Sequence, residues 1–486
     1  MNDLAPALCA IAVSLACIGV GCGDDGGSYD DELGECAGCG VDDGELPEPP
    51  PEEQELPKPS EVCDEETPVT LHLSPDDSNS MASPVMTREV APYGFYTTFE
   101  WIRPWEFLNY YSFEYPAADP GDLSVHVDLR SKDEGRFQLQ IGVASEIVSP
   151  SERLPMNITL VLDESTSMTG APMYAMKATA RAIAGSLREG DVISLVSWSN
   201  SNNVRLASHA VAGSNDATLL DTIDAIEPGG GTDLHAGLEQ GYALAQANFS
   251  ADRINRVVLV SDGGANLGFT DAELIAQMAE LEDGEGIYMV GVGVGDVGRY
   301  NDELMDTVTD QGKGASVFIP NEAEAERMFG ERFMSTMGVA ARDVRVELSL
   351  PPGFEIVRFS GEEFSDDPSE IEPQHLAPND AMVFYQELET CAPELATEDA
   401  LLGVVVRWRE PFSKQARERA VEYAFADLLG AESPMLDKGQ AILSYAEVFA
   451  TGLGALEQAE ADLAAAEQAL PGDSDLAEIR SVLDML

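Results

Sequence analysis

Ile158-Thr159-Leu160-Val161-Leu162-Asp163-Glu164-Ser165-Thr166-Ser167 is the stretch whose reading decides the fold. A short apolar run ends in Asp163, and Ser165 and Ser167 follow at alternate positions. Three oxygen side chains therefore gather where a buried strand ends. Two further signals close apparent loops downstream. They are Thr232 in Gly229-Gly230-Gly231-Thr232-Asp233 and Asp262 in Val257-Val258-Leu259-Val260-Ser261-Asp262-Gly263. Hydroxyls and carboxylates with no Cys or His nearby suit a hard cation in octahedral oxygen coordination, Mg²⁺ before Ca²⁺. In open α/β sheets, ligands bind in the crevice outside the carboxyl ends of the strands. The chemistry expected here is metal-bridged binding.

Outward from this stretch, between about Leu154 and Gly338, apolar runs alternate with helical patterns. That is the signature of a mostly parallel, doubly wound sheet covered on both faces. Strands are expected at Ile158–Leu162, Val192–Trp198, Leu206–Val211, Val257–Ser261, Ile287–Val292 and Ser316–Ile319. Helices are expected at Met173–Leu187, Ala217–Ile226, Leu234–Ala247, Asp271–Leu281, Asn301–Thr309 and Ala323–Thr336.

The D-x-S-x-S run, the loop Thr and the later Asp resemble the von Willebrand factor type A domain with its metal-ion-dependent adhesion site. The resemblance implies that Asp163, Ser165, Ser167, Thr232 and Asp262 surround one divalent cation, Mg²⁺ with Mn²⁺ or Ca²⁺ as alternatives. It also implies that a protein partner supplies an Asp or Glu carboxylate to the last coordination position.

The chain's 486 residues allow two or three domains, and an apolar fraction of 44% is enough for a sizeable core. With 88 acidic against 27 basic residues, the formal net charge is −61. Proteins reach nucleic acid through Lys and Arg, so this balance argues against nucleic acid as a partner.

The N-terminus carries an apolar run from Ala5 to Val20, then Gly21-Cys22-Gly23-Asp24-Asp25. So short a run, ending in small residues before an acidic tract, reads as an export signal rather than a spanning helix. The boundary looks like a bacterial lipoprotein signal with Cys22 as the lipidated residue. Cys17 is the competing position, and a noncleaved N-terminal anchor or a plain secretory signal is the alternative. The protein is accordingly expected on the cell envelope, held to the membrane only by an N-terminal lipid, or else secreted. Cys36, Cys39, Cys63 and Cys391 then permit two disulfides in an exported chain. Cys36 with Cys39 and Cys63 with Cys391 are the pairings considered, the latter two remaining free thiols otherwise.

Residues 1–22 read as the signal and 23–67 as an acidic, Pro/Gly-rich stalk unable to bury enough surface to fold. A β-rich segment with an aromatic stretch around Trp101 to Tyr111 is expected over 68–153, and the doubly wound domain over 154–338. A further β region over 339–421 and helices over 422–486 complete the chain. The β segments on either side are expected to pack together, making the central domain an insertion in a β-sandwich. The block Arg103 to Pro116, with Arg299 to Met305, also resembles exported bacterial von Willebrand A proteins, often lipoproteins, of this organisation.

Other chemistry finds little support. Gly293-Val294-Gly295-Asp296-Val297-Gly298 spells a dinucleotide-binding turn, with Glu322 placed roughly as a ribose ligand. It follows the fifth strand rather than the first, and Asp296 would repel a pyrophosphate. His72, His126, His209, His235 and His375 are scattered without a hydrolase motif. Lys177 and Arg181 lie too far along their helix to clamp a phosphate. The expectation is a non-enzymatic, metal-dependent protein-binding module. An envelope assembly protein with a purely stabilising metal is the alternative, and a metal-dependent hydrolase the least favoured.

Overall fold

The computed structural model describes residues 64, 66–76, 79–94, 102–133, 135–263, 274–277, 279, 286–298, 300, 302–393 and 400–486. The stretch expected to be an export signal, most of the stretch expected to be a stalk, and Cys22, Cys36, Cys39 and Cys63 lie outside the described residues, as does part of the helix expected at 271–281.

Strand β4 (Met156–Asp163) lies inside a six-stranded sheet. The sheet also holds β5 (Val192–Trp198), β6 (Asn202–Ala210), β7 (Ile254–Ser261), β8 (Ile287–Val294) and β9 (Ser316–Ile319), in the order β6-β5-β4-β7-β8-β9. All neighbours pair in parallel except β5 with β6, which are antiparallel. Every residue of β4, β7 and β8 is buried, which explains their unbroken apolar runs.

The two-residue pleat period divides their side chains between two cores. Leu160, Leu162, Val258 and Val260 face helices Ala171–Ser186 and Ala217–Asp224. Val161, Val257 and Leu259 face helices Leu234–Ala247 and Asp302–Gly312. Edge strand β6 begins at Asn202, before the expected Leu206. Its Asn202–Arg205 end is polar and at the sheet margin, where apolar periodicity gives no signal.

The flanking segments form two further sheets. In one, β1 (Val69–Ser74) pairs antiparallel with β10 (Ala341–Leu350), setting Leu71 against Leu348. β12 (Glu363–Ser365), β15 (Leu401–Arg409) and β16 (Ala416–Ala424) complete the path, with β13 (Gln374–Leu376) beside β10. In the other, β3 (Arg136–Ala144) pairs with β14 (Ala381–Thr390), setting Ile141 against Phe384. β2 (Ser124–Asp133) and β11 (Phe354–Phe359) lie on its margins. Leu73, Leu139, Val346, Phe384 and Val404 share one core between the sheets. The doubly wound domain is therefore inserted between the β-rich segments of a sandwich, with helices Pro434–Thr451, Leu456–Ala469 and Ser474–Leu483 following.

Three local expectations change. The segment expected to be β-rich also holds helices Ala82–Val90 and Pro104–Tyr110. Its aromatic residues are packing groups: Phe107 meets Tyr445 of the C-terminal helices edge-on, with ring centroids 5.5 Å apart. β16 continues to Ala424, taking in the first three residues of the stretch expected to be helical. The single helix expected over Ala323–Thr336 is interrupted by a π-turn at Arg327–Glu331 between Glu322–Glu326 and Phe333–Met337. This wider turn goes with a placement of Arg327 and Arg332 at 5.6 and 5.3 Å from the Tyr110 ring.

Helix Leu234–Ala247 lies unusually close to the sheet because two of its contact positions lack side chains. A Cβ at Gly237 would sit 2.7 Å from the Trp198 ring, and one at Gly241 would sit 2.4 Å from Val161 Cγ2. Gly237→Ala is expected to destabilise the protein by about 1–3 kcal/mol through overpacking, despite alanine's better helix propensity. Urea unfolding measures this; an unchanged midpoint would mean that the helix can lift at no cost.

Candidate metal centre

Strand order reverses at β4, whose chain continues to β5 on one side while β7, β8 and β9 extend on the other. The crevice at the carboxyl ends of β4 and β7 is thus the topological switch point of the sheet. Asp163 is the last residue of β4, and Asp262 directly follows β7.

Asp163 is fully buried. Its Oδ1 accepts the Ser165 N–H at 2.8 Å, and its Oδ2 accepts the Ser261 hydroxyl at 2.8 Å. The first bond turns the chain sharply out of the strand and brings the hydroxyls of Ser165 and Ser167 to 2.9 Å from each other. Ser167 donates in turn to Asp262 Oδ1 at 3.2 Å. Four of the five expected residues therefore form one hydrogen-bonded arc across two adjacent strand ends. Burial raises the Asp163 carboxyl above the usual carboxylate range, and the nearby negative charge of Asp262 adds to the rise.

Thr232 stands apart on the adjoining loop and is exposed. No hydrogen bond joins it to the other four among the described residues. The loop itself is tied to the arc: Gly229 N–H donates to Glu164 O at 2.7 Å, and the Thr166 hydroxyl donates to Gly230 O at 2.8 Å. On its other side, Gly231 N–H donates to Asn200 Oδ1 at 2.8 Å, and Asp233 N–H to Ser199 O at 2.7 Å. A Cβ at Gly231 would lie 2.4 Å from Asn200 Oδ1, which accounts for a glycine there. Asp233 then caps helix Leu234–Ala247 by accepting the Ala236 N–H.

The donor set is two carboxylates and three hydroxyls, and its chemistry fits a hard divalent cation. No group of three or more His, Cys, Asp or Glu side chains placed to hold a metal occurs among the described residues.

Sequence reasoning missed three supporting residues. Ser261 bonds the buried Asp163; its only signal was a hydroxyl at the end of an apolar strand. Glu164 is held by Arg205 at 2.6 Å, while Arg205 Nε donates to the Ser197 hydroxyl at 2.8 Å. Asn200, in the β5–β6 turn, carried no periodic signal at all.

The remaining motifs have structural uses. The ring of Tyr300 covers Gly293, and Gly295, at φ +114°, lies against Pro172, so packing and a left-handed turn demand those glycines. Lys177 donates to Asp224 O, and Arg181 pairs with the Asp224 carboxylate, so both hold the end of a neighbouring helix. Glu322 accepts the Tyr174 hydroxyl at 2.6 Å. His235 is exposed in the first turn of its helix. Cys391 is disulfide-bonded.

Residues 157–331 match the model of the von Willebrand factor type A domain. Among curated proteins, the chain is similar to the uncharacterized protein YfbK of Escherichia coli (strain K12). The two are 24% identical over 380 residues, 71% of this chain and 65% of the relative. It is also similar to the uncharacterized protein sll0103 of Synechocystis, 27% identical over 235 residues, covering 48% and 54% of the two chains. The chain thus spans between about half and two thirds of these relatives' lengths. A solved von Willebrand factor type A structure from Catenulispora acidiphila covers 76% of this chain and 91% of its own, at 14% identity and a TM-score of 0.44.

Proposed function

We propose that the von Willebrand factor type A domain of this chain is a metal-dependent protein-binding module. Asp163, Ser165, Ser167, Thr232 and Asp262 would hold one Mg²⁺, with Mn²⁺ or Ca²⁺ as substitutes, and a partner's Asp or Glu carboxylate would complete the coordination shell. The observation that carries this reading is the arc from Asp163 through Ser165 and Ser167 to Asp262. It sets two acids close together at a switch-point crevice, with neutral hydroxyls between them. Such a set balances the charge of a divalent cation but supplies five donors for six octahedral positions, so an incoming carboxylate can take the last one through a charge-assisted contact.

The exposure of Thr232 supplies the sharpest test. Asp163 is buried and bonded to the fold, so its loss mixes metal binding with stability, whereas Thr232 can be removed cleanly. Residues 23–486, which keep Cys36, Cys39 and Cys63 alongside the disulfide-bonded Cys391, would be used as bait on the producing cell's envelope fraction, with Mg²⁺, with chelator, and as Thr232→Ala. Capture of one protein only by the intact site with metal, with Thr232→Ala melting as the parent does, is the expected result. Equal capture in all three arms would reject the mechanism and leave the metal a stabilising role.

We also propose that lipid on Cys22 tethers the module to the envelope, the acidic stalk holding it away from the membrane. Cys22→Ala is expected to move the full-length protein from the detergent phase to the aqueous phase. Unchanged partitioning would rule out that anchor.

A further inference from the structure

The loop that follows β4 holds an acid besides Asp163. Glu164 stands between Asp163 and Ser165 in the chain, yet its carboxylate makes no hydrogen bond to the arc that runs from Asp163 to Asp262. Its backbone is fixed on both sides, by N–H donation to Trp198 O at 2.9 Å and by acceptance of Gly229 N–H at 2.7 Å. Arg205 sets the side chain, its Nη2 donating to Glu164 Oε2 at 2.6 Å.

Arg205 reaches that position through an irregularity of the sheet. β6 is the edge strand, and its register against β5 sets Val204 opposite Val196 but Leu206 opposite Leu195. Arg205 is thus the extra residue of a β-bulge, a device that re-aims a side chain at a sheet margin. Its Nε donates to the buried Ser197 hydroxyl at 2.8 Å, so the guanidinium is held at two points. The Glu164 side chain is 8% exposed against 31% for Arg205, so the charge of the acid is little screened by water.

The charge balance of the crevice turns on this pair. Asp163 and Asp262 together match the charge of a divalent cation. Besides Asp163 and Glu164, the acids in residues 163–210 are Glu189 and Asp191, and both precede β5 at the far end of the sheet. Glu164 is therefore the acid that this flank adds beside the cation's donors. Arg205, whose charge is permanent, cancels it.

We propose, on the metal-dependent reading of this crevice, that Arg205 is a positioning residue for the metal centre. It holds the Glu164 carboxylate toward β6 and cancels its charge, so that the cation keeps two acidic ligands and one position open to a partner's carboxylate. Without Arg205, a third negative charge beside the crevice attracts the cation more strongly and repels the incoming acid. Arg205 thereby sets the site to take a partner's carboxylate rather than a third one of its own.

The test titrates the full chain with Mn²⁺ and counts the free ion by electron paramagnetic resonance, the site being the one that Asp163→Asn removes. Sodium acetate, standing in for a partner's carboxylate, is compared with sodium chloride at equal ionic strength, with protein-free controls. For Arg205→Met, Mn²⁺ affinity in chloride should rise about fivefold, while the enhancement that acetate gives the parent should be lost. Adding Glu164→Gln to Arg205→Met should return both values to within about twofold of the parent, because the pair again carries no net charge. A merely structural role for Arg205 would not move the two readouts in opposite directions. Unchanged values in Arg205→Met, a joint fall that the double variant does not reverse, or a parent indifferent to acetate would overturn the proposal while Mn²⁺ still bound. No saturable Mn²⁺ site in the parent would overturn the metal reading as well.

Discussion

Asp191→Ala is expected to destabilise the protein by about 3–5 kcal/mol, the cost of leaving a buried charge without its partner. Asp191 and Arg153 are both fully buried along their side chains. The two guanidinium nitrogens of Arg153 meet the two carboxylate oxygens at 3.0 and 2.5 Å. The same carboxylate accepts Met156 N–H at the start of β4 and Arg188 N–H, each at 2.8 Å. It thus ties the entry of β4 to the turn before β5. Replacing both partners, as Arg153→Met with Asp191→Leu, should recover only part of the loss. The charge problem is then gone, but two backbone N–H groups still lack their acceptor. Urea unfolding of the three variants measures these differences. A loss below about 1 kcal/mol in Asp191→Ala would mean that water reaches Arg153.

The second large effect belongs to the metal centre. At about 100 times its dissociation constant, Mg²⁺ should stabilise the parent protein by about 2.7 kcal/mol, because only the folded state presents the complete donor set. Asp163→Asn should abolish that gain. Without metal, however, the variant should be as stable as the parent or more so. Asparagine can still accept the Ser165 N–H, and it removes a buried negative charge close to Asp262. Opposite signs with and without Mg²⁺ distinguish a binding site from a packing position. If Mg²⁺ leaves the unfolding curve of the parent unmoved, these residues are not its ligands.

The C-terminal helices bear on both measurements, since they share a core with the α/β domain. Met328 and Phe329 of the domain pack in the same cluster as Tyr445 and Ile479. Arg88 from the N-terminal segment pairs with Glu324 and Glu478, and Lys438, nearly buried, pairs with Asp473 at 2.6 Å and Asp475 at 3.0 Å. Unfolding of the domain is therefore coupled to that of its surroundings, and the stability changes are best read on the whole chain rather than on an excised domain.

Much of the central domain was legible because its signals are local. A strand buried on both faces must be apolar along its length, so β4, β7 and β8 announced themselves. Asp163, Ser165 and Ser167 were legible for a related reason: the carboxylate turns the chain through a bond only two residues long. Where the competing signals were polar or aromatic, the reading failed. Asn202–Arg205 is strand only because β5 lies beside it. The run from Pro104 to Tyr110 is helix because its aromatic residues have Tyr445 to pack against.

Alone, then, the sequence determined the doubly wound domain, the order of its strands along the chain and the five candidate oxygen donors, because pleat period, helix period and short-range turn bonds act between near neighbours. Only the tertiary structure decided that β1 pairs with β10 and β3 with β14, and that Asp163 is buried beside Asp262 while Thr232 is exposed. Burial and long-range pairing depend on which distant surface arrives opposite a residue, and that follows from closure of the whole chain around its cores.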